Sequence, residues 1–329
     1  MPYAGDVEMV LTRTDREWVE QTARAAGFEL AGLAPVPDAE SEPARSEARR
    51  FAAWVESGAA GEMEWLKRRD ADGEFVRGDV RRSMPWARSV LVCAVNYNVD
   101  APRSTDPAPA DSGWIARYAW SGRGGAEMAP TEYAGSDYHE ELLPRLQDVA
   151  RRLRLRFGPA CETRAYVDTG PILERGYAAR AGIGWIGRNT CVLNQQQGSW
   201  LLLGVLVTSL CLEAEAVPVP AVDRCGTCTR CIDACPTDAL HGSGVNGQPR
   251  LMDASRCIAY LTIEKKGSID PALREGIGRQ VFGCDICQDV CPWNRRAPVG
   301  ESGMLQPRAE LVIPSLAWLG SLDGPQFNR

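Results

Sequence analysis

Cys225, Cys228, Cys231 and Cys235 are spaced C-x2-C-x2-C-x3-C and followed by Pro236, and no other feature of the 329-residue chain restricts its folding as much. Short spacings of this kind put three thiolates around one face of a cubane iron-sulfur cluster and send the fourth to a second cube. A second group, Cys284, Cys287 and Cys291 with Pro292, repeats the C-x2-C-x3-C-P ending, and Cys257 lies between the two groups. Eight thiolates suffice for two 4Fe-4S clusters. The crossover rule assigns Cys225, Cys228, Cys231 and Cys291 to one cluster and Cys235, Cys257, Cys284 and Cys287 to the other. Zinc is the alternative for C-x2-C pairs, but two tetrahedral sites have no need of C-x3-C-P endings. Cys93, Cys161, Cys191 and Cys211 lack such spacing and read as plain buried cysteines.

Twelve cysteines without a secretory leader argue for metal ligation over a disulfide framework, and a cytoplasmic protein is expected. The longest apolar run, Trp200 to Leu212, is too short to span a bilayer, so no membrane partner is expected. With 37 basic and 43 acidic residues, the formal charge of -6 excludes a surface that is basic all over. The cluster Arg151, Arg152, Arg154 and Arg156 reads as a solvated helix face.

Before the cysteines the pattern alternates between helices and strands. Thr14 with Glu17 predicts a capping box for a first helix ending near Gly27, and Pro43 opens a second that runs to Ser57. Ser89 to Tyr97 is nearly all apolar, as in a strand covered on both faces. Residues 100–136 predict a long loop. Asp137 and Glu140 then cap a helix to about Phe157, and Arg164 to Val167 reads as a strand leading into Asp168. Pro171 is expected to begin the next helix. Trp185 to Leu193 and Trp200 to Thr208 read as a hairpin joined by QQQGS, and the Pro-rich stretch Val217 to Pro220 as a domain boundary.

Two clusters alone would suit a simple electron carrier, but some 210 residues of α/β pattern ahead of them point to a further redox group. The segment Gly182-Ile-Gly-Trp-Ile-Gly187 leads into a strand instead of a helix, which argues against a dinucleotide fold. Asp137-Tyr138-His139 begins like the D-x-H-x-x-G cobalamin motif, yet Leu142 stands where glycine is needed, and the residues read as a helix N-cap.

Taken together, the chain resembles the epoxyqueuosine reductases. The blocks that carry the resemblance are GEMEWL (61–66), ARSVLVCAVNY (87–97), SDYH (136–139), DTGPILER (168–175), AGIGWIGRN (181–189) and GSWLLLG (198–204). They continue through RCIAYLTIEKKG (256–267) and FGCDICQDVCPWN (282–294), so the likeness spans roughly residues 15 to 325.

The resemblance implies an α/β (α+β) cobalamin-binding domain of nitroreductase-like or reductive-dehalogenase-like fold over residues 1–212. A bacterial ferredoxin-like domain with two 4Fe-4S clusters would follow at 213–300, then a C-terminal segment at 301–329 without the HEAT-like tRNA-binding tail. It also implies base-off cobalamin, with His139 not a cobalt ligand, and reduction of epoxyqueuosine to queuosine in the wobble position of tRNA with loss of water. Asp168 matches the catalytic aspartate, and burial against a flat macrocycle would keep it a proton donor. Arg68, Tyr138, Asp168, Trp185, Val192, Leu203, Ala259 and Asp285 are the expected cobalamin contacts. Expected partners are tRNA carrying epoxyqueuosine and a low-potential donor such as a ferredoxin or flavodoxin, with the chain a monomer. The Gly-rich segment 121–132 departs from the family pattern near substrate entry. A dehalogenase-like cobalamin enzyme acting on a small organohalide and a non-catalytic electron carrier with a binding domain are the alternatives; cobalamin content separates the carrier from both enzymes.

Overall fold

The computed structural model describes residues 9–122, 137–242, 250–301 and 305–324. The chain order opens with β1 (Val10–Leu11), α1 (Arg13–Ala25), β2 (Leu30–Pro35), α2 (Glu42–Glu56) and β3 (Ser89–Asn96). It continues through β4 (Trp114–Ile115), β5 (Ser121–Gly122), α3 (Tyr138–Phe157), β6 (Thr163–Tyr166), α4 (Glu174–Arg180), β7 (Trp185–Ile186), β8 (Val192–Leu193), β9 (Leu201–Thr208) and β10 (Cys211–Leu212). The cysteine-rich part holds α5 (Arg230–Asp233), β11 (Leu240–His241), β12 (Leu251–Met252), α6 (Pro271–Ile277), β13 (Gln280–Phe282) and α7 (Ile286–Asp289). Beyond it lie β14 (Gln306–Pro307) and α8 (Leu316–Ser321).

A four-stranded antiparallel sheet of order β2-β3-β9-β6 forms the centre. Every residue of β3 is buried, because its two faces serve two cores. Leu91, Cys93 and Val95 point with Leu33 and Leu206 into a layer closed by Val19 and Ala23 of α1 and by Leu142, Leu146, Val149 and Leu153 of α3. Val90 and Val92 face the other way, with Val205 and Val207, onto Ile172, Tyr177, Ala178 and Ala181 around α4. This is the strand covered on both faces that its apolar run requires. Among the described residues no helix is long and apolar enough to cross a membrane.

Several local expectations are corrected. The first helix is capped by Thr12, whose hydroxyl accepts the Asp15 N–H at 3.2 Å while Asp15 Oδ2 accepts from Thr12 N. The box spacing occurs twice in this stretch, and the earlier copy wins. The helix after Asp168 begins at Glu174, not at Pro171, so Asp168 is not its cap. The expected hairpin does not form: β7 pairs with β8, while β9 inserts between β3 and β6. An eight-residue strand apolar on both faces gains more from two sheet neighbours than from one hairpin partner. Residues 100–136 are not all loop either, since β4 pairs with β13 and β5 with β14. Most of the Gly-rich segment, 123–132, lies outside the described residues.

The two parts of the chain are clasped together. Besides the β4–β13 pair, the Trp54 indole donates to the Met252 carbonyl at 2.7 Å, and the Glu62 N–H donates to the Tyr260 hydroxyl at 2.8 Å. Gly61 explains how the backbone comes so close: it has φ +57, and a Cβ there would lie 2.5 Å from the Tyr260 ring.

Candidate active site and cysteine centre

Strand β6 and Val167 lead into Asp168, which adopts φ 57, a left-handed conformation uncommon for a side chain of any size. The Thr169 N–H reaches back to the Val167 carbonyl at 2.6 Å, so Asp168 is the middle residue of a three-residue turn. Such geometry costs about 1–3 kcal/mol and persists only where neighbours hold it. The chain on either side of Asp168 is tightly packed. Gly170 packs onto the Tyr166 ring, where a Cβ would lie 2.6 Å from the ring carbon. Half-buried Glu174 lies near enough for the Asp168 carboxylate to act on it.

The Asp168 side chain is exposed, and its Oδ2 accepts a hydrogen bond from the Tyr138 hydroxyl at 3.2 Å. Tyr138 is the first residue of α3, set in place because the Asp137 carboxylate caps the helix through the His139 N–H at 2.9 Å. Asp137 also holds the His139 ring nitrogen at 2.6 Å, and that ring stacks on Tyr138 with centroids 4.0 Å apart. Tyr118 meets Tyr138 edge-on at 6.1 Å and leans on Phe282 at 6.4 Å. Burial pushes both phenols well above their usual range, with Asp168 adding to the shift of each. They are therefore neutral donors at any working pH.

Around Glu174 the charges are dense. Burial first, then the Asp168 carboxylate, push its carboxyl up to about 7, against the opposing pull of Arg77 and Arg175. Arg77 donates to the Ile172 carbonyl at 3.1 Å and lies over the Trp65 ring at 4.8 Å. Arg68 is close enough to Arg77 to depress it slightly, although burial of the Arg77 guanidinium is the larger cause.

The eight cysteines sort themselves by proximity. Burial pushes the Cys231 thiol up to about 12, and the sulfurs that add to this are those of Cys291, Cys225 and Cys228. Cys284 rises with burial beside Cys257 and Cys235, and Cys287 has Cys284 and Cys257 as neighbours. Cys231 thus has Cys225, Cys228 and Cys291 for neighbours and Cys284 has Cys235 and Cys257, with α5 and α7 in contact, although among the described residues no three such side chains converge closely enough to hold a metal ion. Thiol-only sets of four suit cubane clusters. Cys191, expected to be a plain buried cysteine, is half-buried and lies beside Cys287.

The β7–β8 hairpin links these centres. It is possible because Gly184 carries no side chain: a Cβ there would lie 2.2 Å from the Leu193 carbonyl oxygen. Trp185, expected to line cobalamin, is buried, donates its indole N–H to Cys225 Sγ at 3.4 Å and packs edge-on against Trp293 at 5.2 Å. Asp285 also faces inward. It accepts the Arg117 N–H at 2.6 Å and a bond from Gln288 at 3.3 Å, and burial pushes its carboxyl up to about 7. Val192 is buried and Leu203 half-buried against the same apolar layer as α4. Arg68 is exposed, and Ala259 is half-buried directly ahead of Tyr260. Sequence reasoning missed Tyr118, Arg77, Glu174 and Cys191 as site neighbours. Glu174 alone had a signal, standing six residues after Asp168 in the DTGPILER block.

The chain matches two described families: epoxyqueuosine reductase QueG, DUF1730, over residues 77–169, and the 4Fe-4S double cluster binding domain over residues 224–294. It is 40% identical over 266 residues to the epoxyqueuosine reductase of a Synechocystis species, covering 80% of each chain. It is 37% identical to that of Pseudomonas aeruginosa over 335 residues, covering 97% of this chain and 81% of that one. Among solved structures it is similar to a selenomethionine-labelled epoxyqueuosine reductase, with TM-score 0.75, 28% identity, and coverage of 95% of this chain and 74% of that one. An epoxyqueuosine reductase solved with an epoxyqueuosine-modified tRNA-Tyr stem loop gives TM-score 0.73 at 27% identity over the same shares. Identity of this extent over most of the chain, on the fold and cysteine pattern described, means that the protein belongs to the epoxyqueuosine reductase family.

Proposed function

We propose that this oxidoreductase reduces epoxyqueuosine to queuosine in tRNA with Asp168 as proton donor. One observation carries the reading: an unbroken line of contacts, Asp168 to Tyr138 to Tyr118 to Phe282, joins the candidate acid to the cysteine segment that starts at Cys284. The relative solved with a modified tRNA stem loop supports tRNA as the substrate. We assign Cys225, Cys228, Cys231 and Cys291 to one 4Fe-4S cluster and Cys235, Cys257, Cys284 and Cys287 to the other. The sorting of the thiols and the family match over 224–294 support that assignment.

The donor set for a cobalamin fits in part. The exposed Arg68 and Asp168, Tyr138, the half-buried Leu203 and the small Ala259 suit contacts to a large flat ligand. Val192, Trp185 and Asp285 are already buried, so their contribution would come through packing or backbone. His139 is engaged by Asp137, which agrees with a base-off cofactor. A cobalamin bound here would supply electrons at low potential.

The chain's own groups do the rest. Tyr138 orients the Asp168 carboxyl through Oδ2 and is itself braced edge-on by Tyr118, which leans on Phe282. Once the epoxide C–O bond is broken, the oxygen needs protons to leave as water. Asp168, exposed at the turn after β6, is placed to hand over the first. The bound ligand would supply the burial that the open turn lacks.

The test is anaerobic incubation of reconstituted protein with cobalamin, a low-potential reductant and epoxyqueuosine-containing tRNA, followed by mass spectrometry of the nucleosides. Loss of one oxygen atom's mass that depends on cobalamin is expected. No change with clusters and cobalamin both bound would refute the assignment for this substrate.

A further inference from the structure

The β7–β8 hairpin carries at its tip a cation that no step of the reduction uses. Arg188 is only 2% exposed, and its Nη2 donates to the Gly226 carbonyl in the loop between Cys225 and Cys228. Its Nε and Nη1 are buried without a hydrogen-bond partner among the described residues. The carboxylate nearest that loop in the chain, Asp223, is already taken, by Arg250 and by the Cys225 N–H at 2.8 Å. A buried charge left unpaired is costly, so the fold tolerates this guanidinium only if an anion meets it.

The tip is tied to both cysteine groups. The Gly187 N–H bonds the Cys191 carbonyl at 2.8 Å and closes the turn that holds Arg188. Three residues before Arg188, the Trp185 indole donates to Cys225 Sγ at 3.4 Å, and directly after it the buried Asn189 amide donates to the Cys287 carbonyl at 3.4 Å. Of these three donors only Arg188 carries charge, and it lies against the Cys225 loop. We propose that Arg188 is the counter-cation of the 4Fe-4S cluster assigned to Cys225, Cys228, Cys231 and Cys291, and that it sets that cluster's potential above what the thiolates alone would give. The inference rests on the cluster assignment, not on cobalamin or Asp168. Four thiolates around a cubane make an anion, and reduction adds one further negative charge. A fixed cation beside it attracts the reduced form more strongly than the oxidised one, and burial leaves little water to screen the difference. The unpartnered N–H groups give that anion the donors that its sulfurs accept.

Wild type, Arg188→Gln, Arg188→Met and Arg188→Lys are reconstituted anaerobically with iron and sulfide and compared in the absence of cobalamin and tRNA. Iron and sulfide content is measured first. Potentiometric titration followed by electron paramagnetic resonance then gives each cluster's midpoint, with Cys231→Ala marking which signal belongs to the cluster that holds Cys225. Both neutral variants are expected to load two clusters. At a fixed potential the reduced-to-oxidised ratio of the marked cluster should fall about tenfold, a midpoint roughly 59 mV more negative for one electron, while the other cluster keeps its own. Arg188→Lys retains the charge and should move by less than half as much.

Unmoved midpoints in fully loaded neutral variants would overturn the proposal. So would an equal shift in Arg188→Lys, since shape and not charge would then be at work, or a shift shared equally by both clusters or confined to the other one. If the neutral variants lose the marked cluster, Arg188→Lys decides: retention there supports the counter-cation, and loss in all three variants leaves Arg188 as packing at the hairpin tip. Wild type that takes up no 4Fe-4S cluster sinks the cluster assignment and this inference with it. Iron content and visible absorbance separate that outcome from an unmoved midpoint.

Discussion

The sheet and the cysteine segment of this protein are stabilised by different means. In β3 all eight residues are buried, and the strand feeds two apolar cores. In α5 none of the four residues is buried, and the apolar clusters around the cysteines are small, with Trp185, Leu193 and Cys291 forming one and Ile258, Tyr260, Leu261 and Ile277 the other. The first region draws its stability from apolar burial. The second cannot draw its stability from burial and must take it from bonds between thiolate and metal. Division of labour follows: the sheet supplies a rigid frame for Asp168, and the segment beside it is built around what its sulfurs hold.

The comparison is broken most directly by removing one thiolate. Cys231→Ala is expected to lose a cluster, abolish turnover and raise hydrogen exchange through residues 224–294, while amides of β3 and β9 keep their protection. Equal loss of protection in the sheet would show that the two regions form a single cooperative unit, and the contrast would be false. Next in size is Asp168→Asn, which leaves both regions intact by visible absorbance and cofactor content. It should slow product formation by about 10²- to 10⁴-fold, the usual worth of a positioned acid. An unimpaired variant removes Asp168 from the mechanism.

The same contrast governs what could be read from the sequence. The iron-sulfur character of the cysteine segment is legible because ligand spacing is a local rule, and β3 is legible because a strand buried on both faces has no polar positions to confuse it. The partners of β9 were not. QQQGS looks like a hairpin loop, but Asn194 bends that stretch back on itself by accepting the Gln196 and Gln197 N–H groups, and the strand beyond it goes to the sheet centre. An aromatic residue in a glycine-rich block, such as Trp185, suits either a ligand or a core. Only the fold shows its indole turned to a sulfur. The strain at Asp168 was also hidden, since nothing in DTGP requires that the aspartate, and not the glycine, take the positive φ.

A smaller effect sharpens the packing side. Leu91→Ala empties a fully buried position in the first core and should cost about 2–5 kcal/mol in global stability by denaturant titration. The cluster absorption should survive at low denaturant, because Leu91 touches no element of the cysteine segment's own clusters. Cluster loss in parallel with the apolar core would argue that the sheet, not the metal, holds the sulfurs in place.

The smallest effect tests a point where one region donates a hydrogen bond to a cysteine sulfur of the other. Trp185 belongs to the β7–β8 hairpin but donates to Cys225 Sγ at 3.4 Å. A donor to a cluster sulfur favours the reduced, more negative state, because it offsets the added electron. Trp185→Phe keeps the ring against Trp293 and removes only the donor. Losing a bond worth about 1 kcal/mol should move one cluster's midpoint more negative by a few tens of millivolts, converted at roughly 59 mV per tenfold change for one electron. Potentiometric titration followed by electron paramagnetic resonance reads the two clusters separately. A shift confined to the cluster that holds Cys225 means the sheet region tunes that site through a single indole. No shift in either means Trp185 is packing alone, and the hairpin joins the two regions without speaking to their chemistry.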